Sequence, residues 1–83
     1  MTDQPAPEEI DATGLLCPLP VLRARKRMKP MAEGTLVRVS ADDPAAAVDV
    51  PHFCAEQGHT LIGIERGAGD LRVFVIRRGP NRS

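Results

Sequence analysis

The apolar residues of this chain change period along its length, and that change leaves few folds open. From Pro18 to about Met31, Val21, Ala24, Met28 and Met31 recur at spacings of three and four, the stripe of a helix lying on a core. From Thr35 to Ala41 the period falls to two: Val37, Val39 and Ala41 share one side, and Leu36, Arg38 and Ser40 the other. Asp42-Asp43-Pro44 is helix-start chemistry, with Asp43 as cap and Pro44 at the first position. Pro51 interrupts the helical pattern after it. The residues therefore predict a short turn over Ala45–Ala47, then a helix capped by Asp49 that runs to about Gln57 and stops at Gly58. Phe53 and Cys54 would face the core. His59 to Arg66 alternates again, with Ile62 and Ile64 inward, and Gly67-Ala68-Gly69-Asp70 is a turn. Leu71 to Arg78 completes a hairpin. Its inward face stays open, because Val73, Phe74, Val75 and Ile76 are consecutive. A short strand over Glu9–Thr13, ending at Gly14, precedes the first helix.

The order is therefore β-α-β-α-β-β. Each strand has one set of alternating apolar positions, which suits a sheet covered on one face only. The expected fold class is α+β: a two-layer α/β sandwich, a four-stranded mixed sheet with two helices on one side. The first strand–helix–strand unit should be a parallel crossover. Residues 1–7 read as a loose tail, 8–79 as one domain and 80–83 as a polar C-terminal tail. Pro30 should fray or tighten the end of the first helix. A chain of 83 residues buries only about 60% of the surface its unfolded form exposes, so a surface site is favoured over a deep cavity.

Composition removes several function classes. The formal net charge is zero and the only aromatics are Phe53 and Phe74, so neither phosphate binding nor base stacking has a platform. A regulatory or nucleic-acid-binding module in which Cys17 has no covalent role is the alternative this weighs against. No apolar run reaches the roughly 20 residues that cross a bilayer, and the polar, acidic start MTDQPAPEEI does not resemble a secretory leader. With two cysteines and no C-x-x-C pair, neither a disulfide framework, a zinc knuckle nor a dithiol redox pair is indicated. The expectation is a cytoplasmic protein with free thiols, no metal and no cofactor.

The two cysteines differ in setting. Cys54 lies mid-helix beside Phe53 and reads as core. Cys17 stands in Gly14-Leu15-Leu16-Cys17-Pro18-Leu19-Pro20-Val21, directly before a helix. Pro18 suits the first helical position, and Pro20 is tolerated in the first turn. A helix N-terminus favours negative charge, and cysteines there can have pKa values of roughly 3.5–7.5, so the position predicts an activated thiolate. Five basic residues between Arg23 and Lys29 would act in the same direction. Hydrolase or acyl-transfer chemistry needs a base, and neither His52 nor His59 has an evident link to Cys17. No resolving cysteine lies close in sequence. What remains is a thiolate that accepts a group and passes it on.

Asp11-Ala12-Thr13-Gly14-Leu15 and Cys17-Pro18-Leu19-Pro20-Val21 resemble the signature of the TusA (SirA-like) sulfur carrier family. The similarity continues through Ala41-Asp42-Asp43-Pro44-Ala45, Asp49-Val50-Pro51-His52-Phe53-Cys54, Gly58-His59 and Ile76-Arg77-Arg78-Gly79, covering about residues 10–79. The resemblance implies a two-layer sandwich, with Cys17 as persulfide carrier and Gly14, Pro18 and Pro20 as its supporting motif. It implies a cysteine desulfurase or rhodanese-like donor, docked on Arg25, Lys29 and Asp43, and a sulfur-relay acceptor. Relays of this family lead to tRNA 2-thiouridine, sulfur oxidation or molybdenum-cofactor synthesis. The tRNA branch commonly has an acidic residue between the two prolines, where this chain has Leu19.

Overall fold

The structure, a computed structural model, describes residues 6–80. Residues 1–5 of the expected N-terminal tail and 81–83 of the C-terminal tail lie outside that range. The elements are β1 (Glu8–Asp11), α1 (Leu19–Met28), β2 (Leu36–Ala41), α2 (Ala46–Gln57), β3 (Thr60–Arg66) and β4 (Arg72–Arg77). They form one four-stranded sheet in the order β1-β2-β4-β3. β1 runs parallel to β2, and the other pairs are antiparallel. The expected mixed sheet with two helices is the architecture found.

The core sits between sheet and helices. Ile10, Val37, Val39, Ala41, Phe74 and Ile76 supply the sheet side, while Ala24, Met28, Val50, Phe53 and Cys54 come from the helices. The expected stripe is packed inward: Ala24 and Met28 lie in this cluster, with Val21 and, beyond the end of α1, Met31 packed against it. Val37, Val39 and Ala41 are the buried set of β2. Register settles the ambiguous run in β4: Phe74 lies opposite Val39 and Ile76 opposite Val37, leaving Val73 and Val75 half-buried on the open face.

Three expectations need correction. First, α1 is shorter than its periodicity suggests. Pro18 occupies the cap position rather than the first turn, and the helix ends at Met28. Its C-terminus is closed by Arg78, a buried side chain that donates from Nε to Met28 O (3.1 Å) and from Nη2 to Lys29 O (3.0 Å). The expected tightening before Pro30 is present as an amide bond from Met31 to Met28 O. Second, α2 is one continuous helix from Ala46, not a turn followed by a helix capped by Asp49. Pro51 is its sixth residue and costs it a single hydrogen bond, while Val50, Phe53 and Cys54 anchor both sides of the proline. Third, Ile62 and Ile64 are not core residues; they are 50% and 45% exposed. A bulge sets Leu61 opposite Ile76 but Gly63 opposite Val75, so Leu61 packs on the core instead. Ile64 stands opposite the buried Phe74 and so shares its inward face, as expected, but on the edge strand it stays exposed.

The segment Arg78-Gly79 closes the far end of the sandwich. Gly79 donates its N–H to His59 Nδ1 at 2.9 Å, and a Cβ at Gly79 would overlap the Gly58 carbonyl. Arg78→Met should leave the α1 carbonyls unsatisfied and cost about 1–3 kcal/mol, read as a lower urea midpoint at unchanged slope. Gly79→Ala should cost a similar amount, about 1–3 kcal/mol, because the backbone must shift to admit the methyl group.

Candidate functional site

Parallel pairing of β1 with β2 sends the loop after each strand to the same edge of the sheet. The first loop carries Cys17 and the second carries Asp42 and Asp43. β1 ends at Asp11, whose Oδ1 accepts both the amide (2.9 Å) and the hydroxyl (2.6 Å) of Thr13. Gly14 then takes φ 78, a conformation other residues adopt only with strain, and its N–H donates to Asp42 Oδ1 at 2.9 Å across 28 residues. Three residues on, the Cys17 amide donates to Asp43 Oδ2 at 2.6 Å. The other oxygen of Asp43 accepts the Ala45 amide at the entry to α2, at 3.2 Å. The Cys17–Pro18 peptide is cis, Pro20 is buried, and the Cys17 side chain is exposed.

The electrostatics reverse the sequence expectation. The Cys17 thiol is pushed above its ordinary pKa, not below it. The largest cause is a hydrogen bond to Asp49, followed by desolvation and by the charges of Asp49 and Asp43. The physical reason is a contest of magnitudes. A helix N-terminus offers about half a unit of positive charge, carried on its free amides. Here Pro18 and Pro20 have no amide hydrogens, and the Leu19 amide is taken by Leu16 O at 2.8 Å. Two full carboxylate charges outweigh what is left. The free site therefore opposes ionisation of the thiol instead of favouring it.

The seven site residues do not converge on one place. Cys17, Gly14, Pro18, Pro20 and Asp43 come together. Arg25 and Lys29 belong to the last turn and C-cap of α1, roughly 10–15 Å along the axis at 1.5 Å per residue. There they line a cleft of about 170 Å³ with Phe53, Gln57, His59 and Arg78. His59 stacks at 5.3 Å on Phe53, and His52 pairs with Glu56 at 3.5 Å within α2. Cys54 is buried, and burial pushes its thiol up to about 11. Among the described residues, no group of His, Cys, Asp and Glu is arranged to hold a metal ion, and no helix is long and apolar enough to cross a membrane.

Two contributors escape a reading by motif. In the sequence Asp42 belongs to a helix-start signal and Asp49 reads as a cap, and although both fall in segments that resemble the family, neither is given a role at Cys17. Their approach to Gly14 and Cys17 depends on the sheet and on Asp49 falling in the first turn of an uninterrupted α2. Exposed apolar side chains flank Cys17 along the chain and stand next to Asp49 in α2: Leu16, Leu19 and Val48 are 70%, 48% and 72% exposed. Leu15, Leu19 and Leu22 line a shallow groove rimmed by Arg23, Lys26 and Arg27.

Comparison with known proteins agrees in sequence and in structure. The family model described as "Sulfurtransferase TusA" matches residues 8–78. The curated "Sulfur carrier protein TusA" of Pseudomonas entomophila (strain L48) is 42% identical over 78 residues, covering 94% of this chain and 98% of that protein. The crystal structure of a SirA-like protein from Desulfitobacterium hafniense superposes with a TM-score of 0.74 at 26% identity, covering 87% of this chain and 97% of that one.

Alkylation should report the carboxylates directly. The rate of Cys17 modification by iodoacetamide should rise through a pH midpoint above that of an ordinary exposed cysteine, because nearby negative charge opposes ionisation. Asp49→Asn should move that midpoint down. Cys54 should stay unmodified until the chain unfolds.

Proposed function

Because the chain belongs to the TusA sulfurtransferase family, we propose that Cys17 carries sulfane sulfur between two partner proteins. The observation that supports this most is the setting of the thiol: exposed at the sheet edge, with its backbone fixed from across the fold and only carboxylates, which oppose its ionisation, acting on it among the described residues. Such a group suits transfer to and from macromolecules that bring their own activation.

The chemistry is a pair of thiol–persulfide exchanges. In the first, the Cys17 sulfur attacks the outer sulfur of a donor persulfide. A bond forms between the Cys17 sulfur and that outer sulfur. The donor's S–S bond breaks, and the donor cysteine leaves with the electron pair. The Cys17 proton ends on the departing thiolate. In the second, an acceptor thiolate attacks the outer sulfur now held on Cys17, and Cys17 leaves. Neither step requires an external oxidant or reductant, and no cofactor enters the scheme.

The donor in this reading is a cysteine desulfurase or a rhodanese-like protein, and the acceptor is a further relay protein. A cytoplasmic setting suits it, since both thiols must stay reduced. Arg25 and Lys29, exposed on the last turn and C-cap of α1, are the donor-docking charges. Leu19 keeps three outlets open: tRNA 2-thiouridine synthesis, sulfur oxidation and molybdenum-cofactor assembly.

Two measurements test the proposal. After incubation with a cysteine desulfurase and free cysteine, or with a rhodanese and thiosulfate, the intact protein should gain the mass of one reducible sulfur atom. Cys17→Ser should gain none. Absence of any gain with both donors, together with tight RNA binding by Cys17→Ser, would replace the carrier with a binding module. In the second, Arg25→Glu combined with Lys29→Glu should raise the donor concentration needed for half-maximal loading about tenfold at low salt. The alkylation rate of Cys17 should stay unchanged.

A further inference from the structure

We propose that Asp43 is a positioning residue for Cys17, tying the reactive loop to the start of α2 through one carboxylate, and not simply a charge that greets a partner. This rests on the reading of Cys17 as the reacting group.

The argument begins with backbone donors. Cys17 precedes α1, so its amide has no partner inside that helix. The chain supplies one from 26 residues away: Asp43 Oδ2, at 2.6 Å. The second oxygen of the same carboxylate holds the Ala45 amide at 3.2 Å. An ionised carboxylate is the short side chain that accepts on both of its arms, whereas an amide accepts on one and donates on the other. Asp43 is accordingly half-buried, with both oxygens turned to the protein's own amides. Its neighbour Asp42 fixes the same loop a second time, at the Gly14 amide. The exposed thiol thus projects from a loop held at two points to the segment that opens α2.

The same placement has an electrostatic effect. The charged groups acting on the sulfur are Asp49, from α2, and Asp43, from the turn before it. The first cation of α1, Arg23, is directed to the Asp11 carbonyl at 2.9 Å. Removing the Asp43 charge should therefore make Cys17 easier to ionise even as its loop loosens. A charge used only for docking would do neither.

The test compares Asp43→Asn, Asp43→Ser and Asp43→Ala in the full chain, without and with a cysteine desulfurase. Amide hydrogen exchange at Cys17 should quicken about tenfold or more in Asp43→Ala, the loss of a charge-assisted bond. It should quicken also in Asp43→Ser, whose hydroxyl can still cap Ala45 but cannot span to Cys17. The pH midpoint of Cys17 alkylation should fall in all three. The maximal rate of sulfur loading should drop, while the donor concentration at half-maximum stays within about twofold. Unchanged Cys17 exchange and alkylation midpoint in Asp43→Ser, with only the half-maximal donor concentration raised, would overturn the proposal and return Asp43 to docking. If the wild type takes up no sulfur although exchange and alkylation respond as expected, the carrier reading fails and the positioning role stands.

Discussion

The pairing of β1 with β2 in parallel is the constraint on which the site depends. An antiparallel partner would have sent the two loops after these strands to opposite edges. Parallel register instead brings the Cys17 loop against Asp42-Asp43, and the bond from the Ala12 amide to Ser40 O at 2.8 Å extends the pairing to the mouth of both loops. Chemistry at the carboxyl ends of parallel strands is a common outcome in α/β folds, because loops and helix starts converge there. In this chain the convergence is between a nucleophile and acids. The result is a thiol whose backbone is well fixed and whose ionisation is opposed.

That combination suits a carrier more than an enzyme. An enzyme's nucleophile must be activated within its own site. An unloaded carrier gains from a quiet thiol between encounters, since the thiolate is the form that alkylates and oxidises. The carboxylates of Asp49 and Asp43 push the Cys17 thiol above its ordinary pKa, and the exposed Leu16, Leu19 and Val48 offer a partner something to bury.

Much of the fold can be read from the chain because its local signals agree. The period-two run over β2, the stripe of α1 and the glycine stop at Gly58 each name an element that is present, and the buried residues on them are those the spacing picks out. The misreadings share a cause, which is that tertiary contacts outvote local rules. Pro51 looks like a boundary, but Val50, Phe53 and Cys54 hold the helix across it. Ile62 and Ile64 look like an inward pair, but the bulge in β3 gives the core position to Leu61 and leaves only Ile64 on the inward face, at an exposed edge. The end of α1 is closed by Arg78, fifty residues from Met28, and no helix periodicity reports that. At the site, Cys17 and its prolines are legible because their chemistry is local. The direction of its acidity is not, because Asp43 and Asp49 reach it only through the sheet and the continuous second helix.

The strand order also bears on when this protein comes into existence during synthesis. β4 is made after the other five described elements, yet it occupies an interior slot between β2 and β3. Until it emerges, the antiparallel edge of β2 and the whole of β3 lack a neighbour. The carbonyls at the end of α1 also wait for Arg78, which directly succeeds β4. No shorter amino-terminal piece can complete the sheet, so order should arrive late and together. Such topologies fold through distant contacts and are slower for it. For a sulfur carrier the consequence is temporal: the loops that frame Cys17 are made early, but the framework that brings them together is finished by the last strand.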